Sequence, residues 1–434
     1  MVPSDLASVK RHFDPFVARY QACFSRSSWR NLAKTYVSGL LSPLERKSIE
    51  PIAVRAGVPD RTLRHFIGQA SWDEGRLLEV HQRHVTQTLG DARSVLVLDS
   101  TSFPKKGSHS VGVKRQWCGQ LGKEENCQVA VTLTYASRHG HTLLDRRLYL
   151  PEEWARDKRR RKKCGVPQGL VFRRSWELGL DMVEGARTAG VPHDWVTGDE
   201  EFGQSAELHD LLSQMGERYI FEIRSNTFVW NRPPRLRKSR HRGGFGKGPL
   251  LSRTSPKARA VKDILQDLSA KEWKTYEIRA GSKGPLRLRV AWMPVVAVRK
   301  RRPGPAQWLL VTQTLEPEPQ TKYFLSNAPV DTTVEFMLAG AFARFTIEQC
   351  HEQGKQEVGL GDYETRSWKG WHHHSALALV AHHFLVAQRK RLGKKISGDH
   401  RGRSPESLHR CGGSGKLLPK RLPCDAPAPA EAQP

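Results

Sequence analysis

In residues 94–103, SVLVLDSTSF, a run of apolar residues leads straight into Asp99. Such a run reads as a short buried strand that delivers one carboxylate at its end. Taken alone Asp99 says little, because many α/β domains end a strand in Asp. Two later acids give it weight. VTGDEEFG places Asp199 at the end of another predicted strand, and RFTIEQCHEQGKQE places Glu348 on a predicted helix. Three carboxylates so far apart in sequence make sense if one fold gathers them around a divalent cation, since Mg²⁺ takes oxygen ligands and keeps several waters. A pair of ions held there can generate hydroxide and stabilise the leaving oxygen during in-line attack on a phosphodiester. The expectation is an enzyme that cuts and joins DNA.

At 434 residues the chain is long enough for a large core and two or three domains. No apolar run approaches a membrane span, and the N-terminus, MVPSDLASVKRHFDPF, has no secretory apolar core, so a cytoplasmic, nucleoid-associated bacterial protein is expected. The seven Cys are irregularly spaced with no Cys-x-x-Cys pair, which excludes a disulfide framework or zinc ribbon as the organising device. The net charge is +27, and it is concentrated. Residues 224–306 hold 22 Lys or Arg against four acids, and residues 388–434 hold 11 against four. Clustering of this kind points to a polyanion bound at particular surfaces, with affinity that falls as salt rises.

Residues 1–90 read as helical. Between them, PLERKSIEPIAVRAG, a Gly turn at Gly57 and PDRTLRHFIGQ form either a helix-turn-helix, with Arg61 and Arg64 contacting DNA, or a small cap packed on the next domain. From residue 94 the pattern changes to strands: SVLVLDST, SVGVKRQW, CQVAVTLTYAS and HTLLDRRLYLP. A helix over 172–189, the strand DWVTGD, the helix SAELHDLLSQMG and the strand RYIFEIR follow. The order is that of a ribonuclease H-like sheet, in which Asp99 and Asp199 become neighbours. Residues 226–306 break it with a basic segment that alternates like strands and is read as an inserted β-rich subdomain. Its tryptophans, Trp230 and Trp292 among them, could stack on unpaired bases or pack the insertion's core. Residues 307–390 resume the sheet and carry a helix over 332–356. On it Arg344, Glu348 and Lys355 fall at about 0°, 40° and 20° around the axis, so one face presents a carboxylate flanked by two cations for DNA phosphates. Glu352, one turn on, is the rival third acid. The His run at 371–374 lacks Cys partners at ligand spacing and reads as packing or backbone contact rather than zinc. Residues 391–434 read as a disordered basic tail.

At these residues the sequence resembles the DDE transposases of bacterial insertion sequences, in the cut-and-paste group whose last helix carries a Y-R-E-K signature. The likeness covers about residues 29–388. It rests on LDST with Asp99, VTGDEEFG with Asp199, YIFEIR and YFLSNA around the insertion, and the R-x3-E-x6-K spacing of Arg344, Glu348 and Lys355. Ala341 stands where the signature has Tyr. The resemblance implies a ribonuclease H-like α/β core and two Mg²⁺ ions, with Mn²⁺ able to substitute, held by Asp99, Asp199 and Glu348. It implies double-stranded DNA partners, namely terminal inverted repeats and a target, with a dimer on DNA and no small-molecule cofactor. Excision in such enzymes often passes through a hairpin, with a tryptophan of the insertion beside a flipped base. Two other readings are a DNA-binding regulator that keeps the fold without cutting, and a metal-dependent nuclease without joining activity.

Overall fold

The computed structural model describes residues 3–237, 250–279 and 286–398. Five helices come first: α1 (Pro3–Ala18), α2 (Ser27–Leu40), α3 (Ile49–Ala56), α4 (Asp60–Gly68) and α5 (Glu74–Leu89). Gly57, at φ +64°, ends α3 in the left-handed conformation that only glycine adopts without strain. Asp73 caps α5 by accepting from the Arg76 amide at 3.1 Å.

Four strands follow, β1 (Val95–Pro104), β2 (Lys114–Cys118), β3 (Lys123–Ser137) and β4 (Gly140–Leu148). After them come α6 (Glu152–Arg156), α7 (Lys158–Cys164), α8 (Ser175–Thr188), β5 (Trp195–Gly198), α9 (Glu200–Gly203), α10 (Ala206–Gln214) and β6 (Tyr219–Ile223). The segment beyond β6 contributes β7 (Phe228–Trp230), β8 (Leu236–Arg237), β9 (Leu250–Leu251), β10 (Arg259–Ala260), α11 (Val261–Leu265), β11 (Lys274–Arg279), β12 (Leu286–Arg299) and β13 (Arg302–Thr314). The chain then forms β14 (Thr321–Ser326), α12 (Val334–Phe342), α13 (Phe345–Gln356) and α14 (Trp368–Gly398).

Twelve of these strands form one mixed sheet in the order β10-β7-β12-β13-β14-β6-β5-β1-β3-β2, with β4 beside β3 and β11 beside β12. Only the β1/β5 and β5/β6 pairings are parallel among the described strands. The β4-β3-β1-β5-β6 part is a ribonuclease H-like arrangement, with antiparallel strands on one side of β1 and parallel ones on the other.

Three expectations need correcting. The segment 226–306 does not fold apart from the sheet: β12 pairs with β13, β13 with β14, and β14 with β6, so the insertion widens the sheet. Its Leu288 and Val290 share one apolar cluster with Val97, Trp195 and Met337 of the core, and the boundary at 306 falls inside β13. The helix expected over 332–356 is two helices that meet at Ala343 and Arg344. The tail set to begin at 391 starts as helix, because α14 runs to Gly398; residues 399–434 lie outside the described residues.

The N-terminal helices pack as a cap rather than standing free. Leu63, Phe66 and Ile67 of α4 are buried in one cluster with Leu377, Val380 and Phe384 of α14. The histidines of α14 belong to this packing. His373 stacks on Trp72 at 3.7 Å, and His374 bonds the Tyr36 hydroxyl at 2.9 Å. No described helix is long and apolar enough to cross a membrane.

Candidate active site

β1 and β5 run parallel in a register that sets Leu98 beside Gly198, so Asp99 and Asp199 are the next residue on each strand. There the two chains part. β5 stops and α9 begins at Glu200, whereas β1 continues to Pro104 paired with β3, Asp99 opposite Thr132. Asp99 therefore lies in mid-strand rather than at a strand end, at the point where the flank of β1 opens. Asp199 caps α9, its Oδ1 accepting from the Glu201 amide at 3.0 Å. A side chain at Gly203 would meet the Glu222 carbonyl oxygen at 1.8 Å, so only glycine lets α9 lie this close to β6.

The opening is a cavity of about 720 Å³ whose wall includes Asp99, Asp199, Glu348, His351, Lys355 and Trp117. Glu348 stands exposed in the first turn of α13, where a helix N-terminus favours negative charge. Glu352 is not among the lining residues. Burial, and next the charge of Asp199, push the Asp99 carboxyl up to about 7. Burial also raises Asp199, against the pull of Arg344. Two half-buried acids, the charge of one raising the pKa of the other, favour a cation between them. Among the described residues no group of three or more His, Cys, Asp or Glu side chains is already closed around a metal position. The donor set, three carboxylates on one open cavity, still fits a hard divalent ion that keeps part of its water shell.

The two expected cations are held differently. Arg344, at the head of α13, donates from Nη1 to Glu222 at 2.6 Å, and Glu222 also takes Lys322 at 3.0 Å. Lys355 donates to the Ser102 carbonyl at 2.9 Å and to Gln120 at 3.3 Å, and burial lowers its pKa. Arg61 and Arg64 are exposed on α4 and do not line the cavity; Arg64 is paired with Asp60 and lies 3.7 Å from Glu50.

The tryptophan expectation needs revision. Trp230 is buried, its indole nitrogen donating to the Pro256 carbonyl at 3.1 Å, so its ring is not free to stack on a base. Trp292 is partly buried against the core, edge-on to Tyr276 with Lys274 over its ring. Trp117, at the end of β2, is instead 64% exposed on the cavity wall. Nothing in the sequence separates it from the other tryptophans, because the exposure follows from the β2/β3 hairpin. His351 is the other residue missed. It sits one turn after Glu348 in Glu-x-x-His, a spacing that puts both side chains on one helical face.

The chain has recognisable relatives among known proteins. The profile of the DDE superfamily endonuclease family matches residues 19–285, the part that carries Asp99 and Asp199. A probable transposase for insertion sequence element IS701, from Microchaete diplosiphon, is 27% identical over 367 residues, 83% of each chain. Among solved structures, a piggyBac transposase synaptic complex with hairpin DNA has a TM-score of 0.39 at 11% identity, covering 94% of this chain and 78% of that one. The NurA nuclease of Sulfolobus solfataricus has a TM-score of 0.25 at 10% identity, with coverage of 76% and 94%. With the family profile matching more than half of its length, the chain belongs to the DDE superfamily of endonucleases, as a transposase of the insertion-sequence kind.

Proposed function

We propose that this transposase binds the terminal inverted repeats of its own element and moves it by cut-and-paste, through Mg²⁺-dependent cleavage and strand transfer. The observation that carries the reading is the opening of Asp99, Asp199 and Glu348 onto one cavity. These three are assigned as ligands of two divalent ions, which when bound supply charge neutralisation and activation of an oxygen nucleophile. Asp99 and Asp199 are held rigidly by the β1/β5 register and the α9 cap, and Glu348 approaches from α13. Lys355 offers a cation at the cavity wall for a DNA phosphate, and Arg344 tempers the charge of both aspartates. Arg61 and Arg64 are assigned to DNA contact on the cap's outer face. The helical region 1–90 and the basic insertion 226–306 extend the DNA surface on either side of the core. Cleavage at two ends requires at least two active sites, so a dimer on DNA is the working unit.

The test is a reaction of the purified chain with DNA carrying the element's ends and a separate target. The expected products are Mg²⁺-dependent nicks at the ends and joints between precut ends and target. Cleavage without joints would leave a nuclease; binding without cleavage would leave a regulator.

A further inference from the structure

Thr132, opposite Asp99 in the β1/β3 register, carries one hydroxyl hydrogen and has two partners. Its Oγ1 lies 3.2 Å from the Asp99 carbonyl oxygen and 2.8 Å from His351 Nε2. The carbonyl can only accept. With the hydroxyl hydrogen placed there, Nε2–H donates to Oγ1 and both bonds form. The reverse assignment, hydroxyl to Nε2, makes only one of them and leaves an Nδ1–H without a bond, because Nδ1 lies 3.6 Å from Asp99 Oδ2, beyond hydrogen-bonding range. The bonding pattern therefore assigns the Nε2–H tautomer and turns a bare Nδ1 lone pair toward the Asp99 carboxylate, at the wall of the acid cavity. Two lone pairs at this separation repel unless a proton or a metal cation lies between them. Adjacent donors of one six-coordinate ion sit about 3 Å apart for bonds near 2.1 Å, so a small closure would bring nitrogen and oxygen onto the same ion.

We infer that His351 Nδ1 is a further ligand of the cation site, and that Thr132 orients it by fixing the other ring nitrogen. The inference rests on reading Asp99 as a metal ligand. An imidazole among carboxylates shifts preference from Mg²⁺ toward Mn²⁺ or another first-row ion. A hydrogen bond to the far nitrogen of a ligating His is the usual way a protein sets ring orientation, and its loss costs about 10–100-fold in metal affinity.

Mn²⁺ titrated into the full chain, read by electron spin echo modulation, tests this without DNA or turnover. The expected result is a directly bound imidazole nitrogen in the Mn²⁺ spectrum, replaced by the ¹⁵N pattern when histidines are ¹⁵N-labelled. His351→Gln should lose that signal and about tenfold or more in Mn²⁺ affinity, with little change for Mg²⁺. Thr132→Val keeps the imidazole and should weaken Mn²⁺ binding alone. Because the labelled wild type suffices, a misfolded variant does not spare the idea. Mn²⁺ bound with no imidazole coupling, or coupling that survives in His351→Gln, overturns the inference and leaves the carboxylate site standing. Equal failure of wild type and Asp99→Ala to bind Mn²⁺ overturns both.

Discussion

Trp117 and Trp230 show how much of a residue's role is decided by where the fold leaves it. Both are tryptophans near basic residues, yet one is 64% exposed beside the acids and the other is buried under Pro256. A flat ring on the cavity wall can stack on an unpaired base, an interaction worth about 1–3 kcal/mol per base. Trp117→Ala should therefore weaken binding of an end with unpaired terminal bases by that amount, measured by fluorescence anisotropy, while leaving the melting temperature unchanged. Trp230→Ala should do the opposite, lowering stability by about 3–5 kcal/mol as a large core truncation does. At this scale the meeting of Asp99 and Asp199 on one cavity was legible, because an apolar run ahead of each acid marks a buried strand of one sheet. Glu348 was legible from its spacing to Arg344 and Lys355. The partners of Arg344 were not, since Glu222 lies 122 residues away on β6 and only the pairing of β6 with β14 brings the group together.

Among the elements, the break between α12 and α13 and the buried histidines of α14 were the least readable. Neither Pro nor Gly marks the break. Gly340 packs α12 so closely on Trp195 that an added Cβ would lie 2.9 Å from the indole, while α13 continues over β1, β3 and β4. Two helices seated on different parts of one twisted sheet cannot share an axis, and that is a tertiary demand. The His residues of α14 read as candidate ligands or DNA contacts only while their burial is unknown. Burial pushes His372, His373 and His374 down to about 4 and His382 to about 3; in α5 it pushes His81 to about 4 and His84 to about 3. The fold thus holds them neutral, while the unfolded chain takes up protons below about pH 6.5. Stability from this cluster is complete above pH 6.5 and is lost progressively as pH falls toward 4. Thermal melts should show a steep, cooperative fall in melting temperature between pH 6.5 and 5. A flat profile there would contradict the buried, neutral assignment.

For the whole molecule, the charge of +27 and the sheet that joins core to insertion act together. The ribonuclease H-like order was legible from the succession of strands and helices. The extension of that sheet through β14, β13 and β12 was not, because antiparallel pairing across a long insertion leaves no local mark in sequence. Its consequence is that the described strands β12 and β13 of the basic segment belong to the same sheet as the acids, through the β6/β14, β14/β13 and β13/β12 ladders. DNA affinity should then fall with salt at a log–log slope of roughly −5 or steeper, as about six or more phosphate contacts require. The central claim, that Asp99, Asp199 and Glu348 form one metal-dependent centre for DNA cleavage, is tested most directly by a single paired measurement. Wild type and Asp99→Ala are compared for binding and for Mg²⁺-dependent cleavage of DNA bearing the element's inverted repeat. The predicted result is nearly unchanged binding with cleavage abolished; cleavage that persists in Asp99→Ala would contradict the account.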